Sequence, residues 1–184
     1  MTQFNNLPSL DVAKRWREQL YPAPIVGAVI RRDETFLLIR RNSEPYQGMW
    51  ALVGGKWDFG EELRTAVIRE VKEETGLDSR FVALRGLVSE RFIEGETGAH
   101  FLIFLCELEA KKGIASEQAE GAVAWFTHTE LDELHAQNTI IPSDYAMLAE
   151  FIQANPISFV EAEMSSNARE VQLNRFESVG GDSN

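Results

Sequence analysis

Apolar residues recur at four-residue intervals at Val12, Trp16 and Leu20 in "LDVAKRWREQL", which predicts a helix over residues 10–20, closed off by Pro22 and Pro24. The pattern then changes. "IVGAVIRR" and "TFLLIRR" are dense in β-branched and aliphatic residues and flank Asp33-Glu34, so they read as a β-hairpin. The polar loop "NSEPYQG" leads into "MWALVGGKWDFG", a strand interrupted by Gly54-Gly55. Helical spacing returns over residues 61–75, and Gly76 stops it, as glycine does at a left-handed helix end. "RFVALRGLVSERFI" and "AHFLIFLCELEA" lie on either side of "EGETGA" and predict a long antiparallel pair. "AVAWFT" is a further short strand, "TELDELHA" a helix with Thr129 as its cap, and Pro142 opens another helix through "DYAMLAEFIQA". Beyond Asn155-Pro156, "ISFVEAEM" reads as a strand. Residues 165–184 are polar and read as a loosely held tail, an arm able to pack on a partner subunit.

Strands interspersed with helices and at least two hairpins argue for a mixed sheet covered by helices, an α/β (α+β) class. The chain has 184 residues, which suits one domain with extensions, and 44% hydrophobic residues are enough for a core. No internal repeat or low-complexity tract is visible. Lys and Arg number 18 against 29 Asp and Glu, a net charge of -11. Such a surface repels a phosphate backbone, which argues against a nucleic-acid polymer or an anionic membrane as partner. A phosphate-bearing ligand then requires imported positive charge, most simply a divalent metal. Cys106 is the single cysteine, so no intramolecular disulfide forms, and its apolar neighbours "FLIFLCEL" predict a buried, inert thiol. The first residues lack the apolar core of a signal peptide, and no stretch approaches the roughly 20 apolar residues of a membrane span. The expectation is a soluble, cytoplasmic protein.

The stretch with the most chemistry is "REVKEETG", Arg69 to Gly76. Glu70, Glu73 and Glu74 stand at i, i+3 and i+4 and project from one helical face. Like charges at that spacing cost roughly 0.2–0.5 kcal/mol per pair, and carboxylates near a helix C-terminus lose about 0.3–1 kcal/mol more to the macrodipole. Arg69 reaches Glu73 one turn on and offsets part of this. A helix that gathers such charge is explained if a cation neutralises it.

The spacing extends upstream. Eight residues before Arg69 stands Glu61, and six before that Gly55, giving "GKWDFGEELRTAVIREVKEETGL" over residues 55–77. This stretch resembles, position for position, the signature of the Nudix hydrolases, and the likeness extends into "VIRRDETFLLIRR" and "AVAWFTHTELDEL", covering roughly residues 24–135. The resemblance implies an α/β/α sandwich around a mixed sheet, with an N-terminal helical extension over residues 1–21, the hydrolase domain over 22–154 and a C-terminal extension over 155–184. It also implies hydrolysis of a pyrophosphate linkage in a nucleoside diphosphate derivative, releasing a nucleoside monophosphate. Such chemistry calls for Mg²⁺ or Mn²⁺, a hard cation that takes a few carboxylates and keeps several waters. By the same resemblance Glu70, Glu73 and Glu74 carry the metal, with the backbone carbonyl of Gly55. Arg69 orients a glutamate through a charge-assisted bond, and Glu73 or another carboxylate of this cluster is favoured over a loop acid as general base. For Glu61 two readings stay open: an acid that merely suits the helix start, or a base or supporting group for the metal.

A nucleotide also needs flat surfaces and phosphate contacts. Tyr46, Trp50, Trp57 and Phe92 are candidates to stack on a base, with Tyr46 and Trp57 preferred. Of Arg40 and Arg41, strand alternation turns one toward the site, with Arg41 as the candidate. Glu117 or Glu120 can add a metal ligand or be plain loop carboxylates; His100 can reach the pocket or be a structural or exposed histidine, and His128 and His135 show no ligand spacing. Val53 and Asp58 depart from residues common in the family, and marks of the ADP-ribose and NADH subclasses are missing, so ADP-ribose, nucleotide sugars and nucleoside triphosphates all stay open. A catalytically silent domain that senses a nucleotide metabolite is the alternative. A homodimer through residues 157–164 is a further expectation.

Overall fold

The computed structural model describes residues 21–43, 46–94, 97–166 and 171–179; the helix expected over residues 10–20 lies outside these. Strands β1 (Ala23–Arg32) and β2 (Thr35–Arg41) form the expected hairpin across Asp33-Glu34, with Arg32 opposite Thr35 and Asp33 at a positive φ of 51°. The two strands pair only near the turn. Beyond it they splay, and β3 (Trp50–Lys56) inserts between them, antiparallel to both. The six-stranded order is β4-β5-β1-β3-β2-β6, where β4 is Asp78–Glu94, β5 Thr97–Lys112 and β6 Gly121–Thr127. β1 runs parallel to β5 and every other neighbour is antiparallel, so the sheet is mixed as expected. β4 and β5 are the long antiparallel pair read from the sequence, with irregularities near Ser79, Ala83 and Gly86.

Strand alternation sends two sets of side chains to opposite faces. Val26, Ala28 and Ile30 of β1, Leu37 and Ile39 of β2, and Ala51 and Val53 of β3 meet helix α1 (Leu63–Thr75) through Leu63, Ala66, Val67 and Val71. Val29, Phe36, Leu38 and Leu52 face the other way, toward Leu131 of α2 (His128–Ala136) and Met147 and Leu148 of α3 (Pro142–Phe151). Helices thus cover both faces of one sheet. Truncating a fully buried member such as Leu63 to alanine costs roughly 2–5 kcal/mol.

Two helix starts differ from expectation. α1 begins at Leu63, so Glu61 lies before the helix, its N–H donating to the Asp58 backbone carbonyl. α2 is capped two residues earlier than expected, by Thr127 and not Thr129. The Thr127 side chain accepts from the Glu130 N–H, and Glu130 reaches back to the Thr127 N–H, a reciprocal capping box. The proline start of α3 holds, with Ile141 as the preceding cap residue.

Of the segment expected to be a loose tail, the described residues 165–166 and 171–178 form regular structure. β7 (Val160–Ser166) and β8 (Val171–Ser178) form a two-stranded antiparallel sheet, and Val179 is buried in the α1-side core. This arm packs on its own α1 through Glu161 and Arg175. Among the described residues, no helix is long and apolar enough to cross a membrane.

Cys106 lies fully buried on β5, and burial pushes its thiol up to about 12. Native protein should therefore resist a thiol-specific aromatic disulfide at pH 8 and react with one equivalent after denaturation. Stoichiometric labelling of the folded protein would place Cys106 at the surface.

Candidate active site

The site forms where β3 meets α1, and two glycines make that approach close enough. Gly54 has a φ of 152°, and a Cβ there would lie 2.1 Å from the Val26 carbonyl oxygen on β1. At Gly55 a Cβ would lie 2.6 Å from Glu70 Oε2, so the backbone of residue 55 rests directly against that carboxylate. Gly76 then ends α1 at a φ of 72°, its N–H bonded to the Lys72 carbonyl.

Arg69 organises the acidic face. Its Nε and Nη2 donate to the two oxygens of Glu61 at 2.9 and 2.8 Å, a paired geometry that fixes the guanidinium plane. Nη1 donates to Glu70 at 2.7 Å and to Glu73 at 3.2 Å, and Nη2 also donates to the Lys56 carbonyl at 3.1 Å. The hydrogen bonds to Arg69 hold the Glu61 carboxyl below the usual carboxylate range. Burial pushes Glu70 upward despite the same arginine. Glu74 is the extreme case. It is 4% exposed, accepts the Gly54 N–H at 2.9 Å, and is pushed up to about 9 by burial and by a hydrogen bond to Glu120.

These carboxylates open onto a cleft of about 710 Å³. Gly55, Glu70, Glu73, Glu74 and Glu120 line it, and so does Arg41, one of the two adjacent arginines. Arg40 instead donates its Nε to the Gly48 carbonyl at 3.0 Å. Tyr46 also lines the cleft, with a positive φ of 70° and an edge-to-face contact to Phe92 at 5.4 Å. Glu117 is not on the cleft wall, and neither are His100, His128 or His135. Trp57, expected to stack on a base, is not on the cleft wall either. Its ring packs edge-on against Phe104 at 5.0 Å, and its Nε1 donates to the Glu61 carbonyl at 3.0 Å. Trp50 packs on Phe126 at 4.8 Å on the α2-side face.

Sequence reasoning missed two acids, Glu90 on β4 and Asp144 in the first turn of α3. The start of α3 is tied to β3, because the Trp50 N–H donates to the Thr139 carbonyl and the Ile141 N–H to the Trp50 carbonyl. That docking lets Asp144 accept the Leu52 N–H at 2.7 Å. Burial, with Glu90 nearby, pushes Asp144 up to about 7. Burial first, then Glu90 and Asp144, push the Tyr46 hydroxyl to about 12. Glu90 Oε2 is buried without a hydrogen-bond partner. The signal available for Asp144 was its place just after Pro142, where acids suit a helix start; Glu90 carried none.

A family model described as the NUDIX domain matches residues 21–151. The chain belongs to the Nudix hydrolase family. It is 33% identical over 135 residues to an ADP-ribose pyrophosphatase of Methanocaldococcus jannaschii, covering 72% of this chain and 78% of that protein. It is 33% identical over 119 residues to a MutT-like protein of Streptomyces ambofaciens, covering 64% of this chain and 71% of that one. The crystal structure of a MutT Nudix hydrolase from Burkholderia pseudomallei superposes with a TM-score of 0.61 at 30% identity, covering 71% of this chain and 98% of that one.

Among the described residues of this Nudix chain, no three acidic, histidine or cysteine side chains are arranged to enclose an ion. Arg69 engages Glu70 and Glu73, and the Gly54 N–H engages Glu74. The donor chemistry nonetheless fits a hard divalent cation. Glu70 and Glu74 are buried carboxyls, Glu74 faces a further carboxyl in Glu120, and the Gly55 backbone touches Glu70 without an intervening side chain.

Glu74 is an acid raised in the folded state, so the folded protein keeps a proton that the unfolded chain releases. Metal-free stability should fall as pH rises from the ordinary carboxylate range toward about 9. Glu74→Gln should remove that slope while leaving an acceptor for the Gly54 N–H. Denaturant midpoints from pH 5 to 9 should show wild type losing ground steadily to the variant; parallel curves would mean that Glu74 is ionised throughout.

Proposed function

We propose that this chain hydrolyses the pyrophosphate linkage of a nucleoside diphosphate derivative and releases a nucleoside monophosphate, using Mg²⁺ or Mn²⁺. The observation that carries the reading is a pair of buried acids, Glu70 packed against Gly55 and Glu74 held by the Gly54 N–H, with Glu120 facing Glu74. Glu70, Glu73, Glu74 and the Gly55 carbonyl would hold the cation, with Glu120 as a further oxygen donor. When bound, the metal neutralises phosphate oxygens and lowers the pKa of a water. Glu73 suits the role of base, since it reaches the cleft and its bond to Arg69 is the longest that arginine makes to a carboxylate. Glu61 serves as the anchor of Arg69; a carboxylate bonded through both oxygens and held below its usual range is a poor proton acceptor.

Arg41 and Lys56 line the cleft as cations for phosphate. Tyr46, Glu90 and Asp144 form a second wall, in which a carboxylate suits hydrogen-bond donors of the nucleoside, a hydroxyl or an amino group, and repels phosphate. This arrangement orients the nucleoside away from the glutamates of α1. ADP-ribose is the first substrate to try, because of the relative that is named for it.

With Mg²⁺ or Mn²⁺, the protein should release a nucleoside monophosphate from at least one member of a panel of ADP-ribose, nucleotide sugars and nucleoside triphosphates, and chelation by EDTA should abolish it. Glu73→Gln should lower kcat by about 10²–10⁴-fold, the range for a lost general base. No turnover across the panel at any metal concentration would favour a silent nucleotide sensor. On the substrate found, Asp144→Asn and Glu90→Gln should raise KM by about 5- to 30-fold with kcat nearly kept, the worth of one or two charged hydrogen bonds. Unchanged KM in both variants would remove these acids from substrate recognition.

A further inference from the structure

The first N–H groups of a helix have no partner within it, and a Ser, Thr, Asp or Asn cap ordinarily supplies one. α1 lacks that device. Its cap residue is Glu62, which makes no side-chain cap bond, and its first turn contains no acid. The helix nevertheless starts buried, with Leu63 fully inaccessible. Its acceptor comes from far along the chain: the Leu63 N–H donates to Glu161 Oε1 on β7 at 2.7 Å. Arg175 on β8 bonds Glu62 and lies 3.6 Å from Glu161 Oε2, so it holds both carboxylates in place.

The root of the same hairpin reaches the preceding residue. The Val179 N–H donates to the Phe159 carbonyl at 2.7 Å, and the Phe159 ring packs against Trp57, whose Nε1 holds the Glu61 carbonyl. Three consecutive residues, Glu61, Glu62 and Leu63, are therefore fixed directly or indirectly by residues 159–179. Glu61 in turn fixes Arg69, and Arg69 fixes Glu70 and Glu73.

The hairpin's polarity argues that this contact is more than core cover. The side chains it turns onto α1 are Glu161 and Arg175, while Val160, Met164, Leu173 and Phe176 are exposed. An element serving only to bury apolar area would do the reverse. It also lies beyond the matched family domain, which ends at residue 151.

We infer that Glu161 and Arg175 are positioning residues: they cap α1 from outside the Nudix domain and set the start of the helix from which Arg69 and the three glutamates project. The inference rests on the hydrolase reading above for its effect on turnover, and on the geometry alone for its effect on the helix.

The test compares full-length wild type, Glu161→Ala and Glu161→Gln well below their unfolding temperatures. Loss of a cap is worth about five- to tenfold in an equilibrium. Glu161→Ala should speed amide hydrogen exchange at residues 63–65 by about that factor, weaken Mn²⁺ binding measured by electron paramagnetic resonance several-fold, and lower kcat by about tenfold with KM within twofold. Glu161→Gln, which keeps the acceptor, should restore most of each. Arg175→Met provides the same readings should Glu161→Ala fail to fold. Exchange, Mn²⁺ affinity and kcat all unchanged beside a lower Tm would reduce the hairpin to a stabilising element and overturn the inference. A wild type without turnover would sink the hydrolase reading alone, leaving exchange and Mn²⁺ binding to decide this one.

Discussion

The site depends on how one guanidinium is shared among carboxylates. Arg69 engages both oxygens of Glu61, one of Glu70 and one of Glu73, and anchors its plane on the Lys56 carbonyl. These bonds raise its own pKa further, with Glu61 the largest cause. Without it, three acids would crowd the last turns of a helix whose dipole already opposes them. A single arginine cannot neutralise the whole group, and Glu74 shows the remainder. Buried, and with Glu120 and Glu70 for neighbours, Glu74 answers by holding a proton. Pairing and protonation are two responses to one excess of negative charge, and under the proposed function a divalent cation would be a third.

The sheet brings this charge to one place. Because β3 inserts between β1 and β2, the Gly54-Gly55 pair sits deep in the sheet and not at its edge. The two glycines let the β1 backbone and the Glu70 carboxylate pack against β3 where any side chain would clash. The strand that supplies the Gly54 N–H to Glu74 also supplies the Leu52 N–H to Asp144 two residues away. One strand thus fixes an acid from a helix on each side of the sheet, and the cleft between them inherits its shape from β3.

Much of this was legible in the chain. The glutamates of α1 follow a fixed helical spacing, and the hairpin strands are short apolar runs on either side of a polar turn. What was hidden depends on contacts between distant segments. Asp144 and Glu90 come from α3 and β4 and meet only when both pack on the central strands. Trp57 looked available for stacking because nothing local shows Phe104 and Phe159 closing over it. The cap of α2 was misplaced by two residues, since Thr127 and Thr129 both fit locally and only the reach of Glu130 separates them. The polar C-terminal segment concealed a strand, because a two-stranded sheet leaves most of its side chains exposed and need not show apolar alternation.

A net charge of -11 opposes a polyanionic ligand, yet the acids of the cleft fall into two groups with different surroundings. Glu70, Glu73, Glu74 and Glu120 crowd one another beside Arg69, an excess of negative charge that under the proposed function a divalent cation neutralises. Glu90 and Asp144 have Arg41 and the Tyr46 hydroxyl as neighbours, a more nearly balanced set that can accept hydrogen bonds without a metal. A phosphate chain approaching this cleft is repelled everywhere except where a divalent ion, Arg41 or Lys56 offsets the field. Under the proposed function the negative charge itself therefore confers selectivity: it excludes anions that arrive without a metal and leaves one orientation for those that bring one.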